Sequence, residues 1–162
     1  MERLIRLMAS AEGPGKLLGQ GVRRAAEQMS IEARRRAPHV KGLELSGYHP
    51  GSLPGTALGY AVSSRGGDFN NIYAAMEYNW PAARGAAVFG TPASVDSRSY
   101  EGKGALIRRA SILTCALDAL GLCKVPALSL IGDFDLENEA RLVQGMTGRA
   151  FSAEALMEVG ER

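Results

Sequence analysis

Cysteine is scarce in this chain. Among its 162 residues only Cys115 and Cys123 carry a thiol, too few for a disulfide scaffold at this size. Long apolar runs are missing as well: no stretch approaches the roughly 20 residues that a membrane span requires. The opening residues Met1-Glu2-Arg3-Leu4-Ile5-Arg6-Leu7 lack the apolar centre and cleavage region of a signal peptide, so a cytoplasmic protein is expected. Net charge is only +2. The densest basic run, Arg34-Arg35-Arg36, has no aromatic residues interleaved with it, which argues for a solvated helix end and against a nucleic-acid partner. There is no internal repeat and no low-complexity tract. What remains, 46% hydrophobic and 22% charged, suffices for one globular core or for a piece of a larger one.

Hydrophobic periodicity predicts an all-α fold, an irregular helical bundle. A short amphipathic helix over 2–10 is broken by Gly13-Pro14-Gly15. Apolar residues at Leu17, Leu18, Val22, Ala25, Ala26 and Met29 recur every three or four positions and predict a second helix over 16–35. Pro38, Gly42, Gly47, Pro50, Gly51 and Pro54 make 37–54 looped or extended. Residues 56–63 are apolar enough for helix or strand, and 64–68 form a tight turn. The stretch 71–88 is interrupted at Trp80-Pro81 and at Gly85, and a loop follows over 90–96. Two short helices, 136–146 and 152–159, complete the pattern, the second with Ser152 as N-cap and Glu154 near the positive end of its dipole.

The strongest helix covers 103–120. Ala105, Leu106, Ile107, Ala110, Ile112, Leu113, Ala116 and Leu117 are interrupted mainly by Arg108 and Arg109, as in a helix buried on most of its surface. Cys115 lies inside this apolar pattern and reads as a packing residue. The helix ends in Asp118-Ala119-Leu120-Gly121-Leu122-Cys123-Lys124, and Pro126 closes the loop that follows. Gly121 supplies the backbone freedom that a helix C-terminus commonly needs. Two readings of this run stand on the residues alone. It is a glycine helix stop with an inert free thiol, or it is half of a cofactor site, with a thiolate held at the end of a rigid element within reach of a metal.

The run Asp-x-x-Gly-Leu-Cys-Lys resembles the C-terminal motif of the tungsten-containing aldehyde:ferredoxin oxidoreductase family. Three further segments resemble the same family in the same order. They are Glu12-Gly13-Pro14-Gly15-Lys16-Leu17-Leu18-Gly19-Gln20-Gly21-Val22, His39-Val40-Lys41-Gly42-Leu43-Glu44-Leu45, and Leu58-Gly59-Tyr60-Ala61-Val62-Ser63-Ser64-Arg65-Gly66-Gly67-Asp68. The resemblance implies the helical C-terminal domains of that fold. About 1–55 would be the end of a middle domain and about 56–162 the C-terminal domain, with the N-terminal pterin-cradling domain absent. It also implies cofactors, a tungsten-bis-pterin and a 4Fe-4S cluster. Asp118 would accept hydrogen bonds from pterin N–H groups, Gly121 and Leu122 would let the backbone approach the cofactor, Cys123 would ligate the cluster, and Lys124 would place positive charge beside it. Ferredoxin, the remainder of the enzyme and a second copy of the chain are the implied partners. The family's other cluster cysteines lie in a Cys-x-x-Cys-x-x-x-Cys motif that is not in this chain, so the isolated chain is expected to be inactive.

Other candidate residues carry open alternatives. His39 and His49 read as structural residues beside turns. Arg65 with Gly66 and Gly67 can present a guanidinium and backbone donors to a phosphate or a substrate anion, or it is a surface arginine on a turn. In the resemblance, many members have His where this chain has Phe69, beside Asp68. Phe there would remove a proton shuttle and add an aromatic wall, which implies a substrate with an apolar or aromatic character and points to the branch that reduces the ring of benzoyl-coenzyme A. The implied activity is interconversion of aldehydes and carboxylic acids. The alternatives are a non-catalytic helical interaction domain, a truncated remnant, or part of an aromatic ring reductase.

Overall fold

The structure, a computed structural model, describes residues 1–130 and 135–162. Its regular structure is almost entirely helical, as expected. Helices α1 (Glu2–Ser10), α2 (Gly13–Leu18), α3 (Val22–Glu27) and α4 (Ile31–Arg35) precede a minimal hairpin of β1 (His39–Val40) and β2 (Leu43–Glu44). Then come α5 (Pro54–Val62), α6 (Met76–Asn79), α7 (Ala82–Phe89), α8 (Lys103–Ala119), α9 (Glu137–Thr147) and α10 (Ala153–Glu161). Short 3-10 turns occupy Phe69–Asn71 and Pro92–Val95, and a π-helical turn Pro126–Leu130.

Two local expectations fail for identifiable reasons. The helix expected over 16–35 is three pieces. Gly21, at φ +88, turns the chain before α3, and Ser30 starts α4 afresh by accepting the Ala33 amide on its side chain. Periodicity alone does not see a glycine turn. Conversely α7 runs straight through Gly85. That glycine serves packing: a Cβ there would stand 2.6 Å from Val95 Cγ2, so its absence lets the 3-10 turn lie directly on the helix.

The looped stretch 37–54 contains the hairpin, in which His39 faces Glu44 and Val40 faces Leu43. Its two turn residues, Lys41 and Gly42, both have positive φ, 53 and 87, the combination of a type I′ turn that matches strand twist. The Lys41 ammonium reaches back 2.6 Å to the Ser63 carbonyl at the end of α5. Gly66, at φ +79, and Gly67 pack against the hairpin backbone; a Cβ would lie 2.3 Å from Val40 O at the first and 2.8 Å from Leu43 O at the second. The His-Val-Lys-Gly-Leu-Glu run and the Arg-Gly-Gly-Asp run, distant in sequence, are therefore one backbone-on-backbone unit.

The core forms around α8. Leu106, Ala110, Leu113, Ala116 and Leu117 are wholly buried and meet Tyr60, Ile72, Ala74, Met76 and Leu156. Helix α10 approaches so closely that a Cβ on Gly160 would overlap the Ile112 carbonyl. Among the described residues no buried member of this cluster precedes Tyr60, although Val40 and Leu45 pack at its edge.

At the start of α8 lies a buried ion pair. Glu77 and Lys103 have 0% and 3% of their side chains exposed, and Lys103 Nζ stands 3.0 Å from Glu77 Oε1. The other two ammonium protons go to the carbonyls of Ser94 and Asp96, each at 2.8 Å. The carboxylate in turn caps α5 from outside: Oε1 accepts the Gly55 amide at 2.7 Å, and Oε2 accepts the Thr56 amide at 2.9 Å and its hydroxyl at 3.2 Å. Leu53, the N-cap residue, offers no side-chain acceptor, and Glu77 takes that place, satisfying amides that the helix leaves unpaired. Replacing Glu77 by alanine strands a buried ammonium and the α5 amides. The expected loss in urea denaturation is about 3–5 kcal/mol, with Glu77→Gln losing less because it keeps one acceptor oxygen. A Glu77→Ala loss under about 1 kcal/mol would show that the pair does not hold the fold.

Candidate functional site

The last turn of α8 ends in the glycine stop that the run offers. Gly121 adopts φ +68. The Leu122 amide donates to the Leu117 carbonyl at 3.0 Å and the Gly121 amide to the Asp118 carbonyl at 3.0 Å, the paired bonds of a Schellman stop. Leu122 is half-buried and packs on the core cluster, which fixes the direction in which the chain leaves the helix. Cys123, the next residue, is exposed. A structural helix stop and a presented thiol are thus the same object.

Asp118 and Lys124 bracket the loop. Lys124 Nζ donates to Asp118 Oδ1 at 2.5 Å, with 11% of the lysine side chain and 52% of the aspartate side chain exposed. The ammonium folds back against the helix end, where cations are favoured, and half of the carboxylate faces solvent. Within this run Asp118, Gly121, Leu122, Cys123 and Lys124 therefore converge on one helix end, with a carboxylate, a thiol and an open backbone on its outer side.

The packing role expected for Cys115 is wrong: its side chain is exposed. Counting about 3.6 residues per turn, Cys115 stands about two and a half turns after the wholly buried Leu106 and so points away from the core seam. Leu113 and Leu117, two positions away on either side, lie on the opposite, wholly buried face. Among the described residues no group of three or more His, Cys, Asp or Glu is placed to hold a metal ion, and the motif run contains one cysteine, Cys123.

Arg65, Asp68 and Phe69 lie together on the turn after α5. Arg65 Nη1 pairs with Asp68 Oδ2 at 3.0 Å, and Asp68 Oδ1 caps the 3-10 turn by accepting the Asn70 amide at 3.0 Å. Phe69 is 5% exposed, covered by the ring of Tyr48 at 3.8 Å between centroids. The Arg65 guanidinium remains largely exposed. His39 lies exposed on β1. His49 Nδ1 accepts the Gly51 amide at 3.0 Å, a turn role of the kind expected.

Sequence reasoning missed Glu77 and the aromatic group. The Tyr60 hydroxyl lies 2.8 Å from Ser46 Oγ and donates to the Tyr48 carbonyl at 3.2 Å. Burial raises the Tyr60 phenol above its ordinary range, partly offset by the Ser46 contact. Tyr78 is raised further, by burial first and then by its hydrogen bond with Tyr48. No spacing in the chain signals these contacts, because Tyr48, Phe69 and Tyr78 come from separate elements. Since both cysteines are exposed, Ellman's reagent is expected to titrate two thiols in the folded chain and one in Cys115→Ser. A second thiol that appears only in denaturant would contradict the exposure of Cys115.

The profile of the family described as "Aldehyde ferredoxin oxidoreductase, domains 2 & 3" matches residues 1–162. Similar proteins include the tungsten-containing aldehyde ferredoxin oxidoreductase of Pyrococcus furiosus, 29% identical over 160 residues, and that of Pyrococcus abyssi, 28% identical over 159 residues. In each case the match covers 98% of this chain and 24% of the relative, so the chain spans about a quarter of the length of the relatives it matches. No solved structure matches. With the helical architecture and the motif run both in place, the chain belongs to the aldehyde ferredoxin oxidoreductase family, in the part described as domains 2 and 3.

Proposed function

We propose that this chain is one part of a tungstopterin and iron–sulfur oxidoreductase that interconverts aldehydes and carboxylic acids, with ferredoxin as electron partner. The observation that carries the reading is the exposed Cys123 held one residue beyond a Schellman stop, beside the half-exposed carboxylate of Asp118. A cluster shared with another part of the enzyme needs a cysteine that the other part can reach, and Cys123 is exposed. A carboxylate that accepts pterin N–H groups needs an open edge, and Asp118 has one while Lys124 holds its other side. Gly121, without a side chain and with nothing within 4 Å of where a Cβ would stand, leaves room for a flat ring system at the helix end.

The chain supplies one cluster cysteine and a pterin-binding loop, and the remainder of the enzyme supplies the other thiolates. Bound there, the tungstopterin would provide two-electron oxo chemistry and the cluster one-electron transfer. The residues of this chain bind and orient: α8 sets the position of the loop, Asp118 and Lys124 offer complementary charge, and Cys123 gives one sulfur. In the same reading, residues about 1–55 close a middle domain and about 56–162 form the C-terminal one, which fits a core cluster that among the described residues has no buried member before Tyr60. Arg65, Asp68 and Phe69 would face the substrate side, and a second copy of the chain is a further partner. Alone, the chain turns over no aldehyde.

The test is anaerobic coexpression of the chain with the portion of the Pyrococcus furiosus relative that lies outside the match, followed by iron, tungsten and pterin analysis of the purified complex. Metals and pterin are expected in the complex and not in the chain alone, with iron lost in Cys123→Ala. A folded complex that stays free of iron and pterin would overturn the reading and leave the loop as a helix stop.

A further inference from the structure

Between Glu44 and Arg65 the chain has no Asp, Glu, Lys or Arg, although 22% of its residues are charged. Helix α5, Pro-Gly-Thr-Ala-Leu-Gly-Tyr-Ala-Val, lies in that gap. Its inner side, Gly55, Thr56, Gly59 and Tyr60, is buried and takes in both hydroxyl-bearing side chains of the helix. The opposite side holds Leu58, Ala61 and Val62, spaced three and four positions apart and so on one stripe. All three are exposed, Leu58 at 36% and Val62 at 60%. A helix that is apolar on every side belongs in the interior of a protein. The outer sides of α8, α9 and α10 are of the ordinary kind and carry the exposed charges of Arg108, Arg141 and Glu158. Nor is the bare face of α5 a result of loose attachment. Glu77 accepts the Gly55 and Thr56 amides at one end of the helix, Lys41 donates to the Ser63 carbonyl at the other, and a Cβ on Gly59 would stand 2.3 Å from Ile72 Cδ1. The face is rigid before anything binds to it.

We propose that the stripe Leu58, Ala61 and Val62 is a docking surface, and that its occupant is an uncharged, apolar protein surface on the remainder of the enzyme. The inference rests on the reading above that this chain works as one part of a larger oxidoreductase. Each relative extends far beyond the match, which covers 24% of it, so most of such an enzyme lies outside this chain and packs against it. A face without charge is the one that loses least when water is removed, because no ion on it has to be desolvated or matched. The same absence rules on the chemistry of the occupant. A nucleic acid, an anionic lipid surface or an acidic protein meets no cation on α5. The helix also leads directly into the turn of Arg65, Asp68 and Phe69, which the same reading sets toward the substrate, so a partner seated on α5 borders that turn.

The test coexpresses the chain anaerobically with a tagged portion of the Pyrococcus furiosus relative that lies outside the match, and measures the dissociation constant of the captured complex. Ala61→Glu with Val62→Glu is expected to weaken the complex at least about tenfold, whereas Val62→Leu, and Gln144→Glu on the exposed side of α9, stay within about twofold. A doubly substituted chain held as tightly as the unchanged one overturns the proposal. So does an unchanged chain that forms no complex, or one that dimerises alone and becomes monomeric on the double substitution, which would make a second copy the occupant. Iron and pterin content of the same complex separates this inference from the cofactor reading. A metal-free complex that the double substitution disrupts supports the docking face and sinks the cofactor reading; a loaded complex indifferent to the substitution does the reverse. If circular dichroism shows that the doubly substituted chain does not fold, the unchanged chain with labelled valine methyls decides. The Val62 methyls must lose their relaxation by a soluble paramagnetic agent when the complex forms, and methyls that stay accessible overturn the proposal.

Discussion

Neither the carboxylate of Glu77 nor the ammonium of Lys103 has water around it, and the arrangement of the C-terminal two thirds of the chain follows from how they are satisfied. Desolvating two charges costs more than their attraction alone returns unless every remaining proton and lone pair finds a partner. Here they do: three acceptors surround the ammonium and three donors besides it reach the carboxylate. Those partners belong to different pieces of chain, the start of α5, α6, the 3-10 turn before α8, and α8 itself. One ion pair thereby fixes four elements that share little sequence proximity. Any of them displaced by an ångström would leave a buried charge without a partner, so the geometry is all-or-none.

That constraint reaches the candidate site through a rod. Helix α8 has 17 residues, roughly 25 Å at 1.5 Å per residue, with Lys103 at one end and the Asp118–Lys124 loop at the other. Its middle is buried against α5 and α10, which leaves it no freedom to pivot. The loop is then placed by two devices: the ion pair sets the helix, and the Schellman bonds with Leu122 set the exit direction. A thiol at Cys123 is aimed by structure far from it. The same helix anchors the 3-10 turn after α5, whose Asn71 carbonyl accepts the Thr114 hydroxyl at 3.0 Å.

The sequence was legible wherever a local rule sufficed. Helix α1 has its expected bounds, the long apolar pattern became α8, Gly121 took its left-handed conformation, and Ser152 capped α10 through the Ala155 amide. It was illegible wherever the determinant lay elsewhere in the chain. Glu77 acts as the cap of a helix that begins more than 20 positions earlier, and nothing around it announces that role. Gly85 looked like a break because glycine weakens helices, but Val95 needed the space. Cys115 was misread because apolar neighbours in sequence are not neighbours in phase. The family-like runs were readable as strings, yet their physical reason appeared only in three dimensions: Gly66 and Gly67 are small because the Lys41-Gly42 hairpin lies on top of them.

The central claim is that the Glu77–Lys103 junction is the most protected part of the molecule and that the rest is arranged around it. Native-state hydrogen exchange reads this directly at the amides of Gly55 and Thr56, which donate to Glu77. First-turn helix amides usually exchange fast, since no preceding carbonyl holds them. The account predicts the reverse here: these two exchange as slowly as the core of α8, through global unfolding only, while α1, which buries no residue, exchanges early. Gly55 and Thr56 amides that exchange as fast as those of α1 would contradict it.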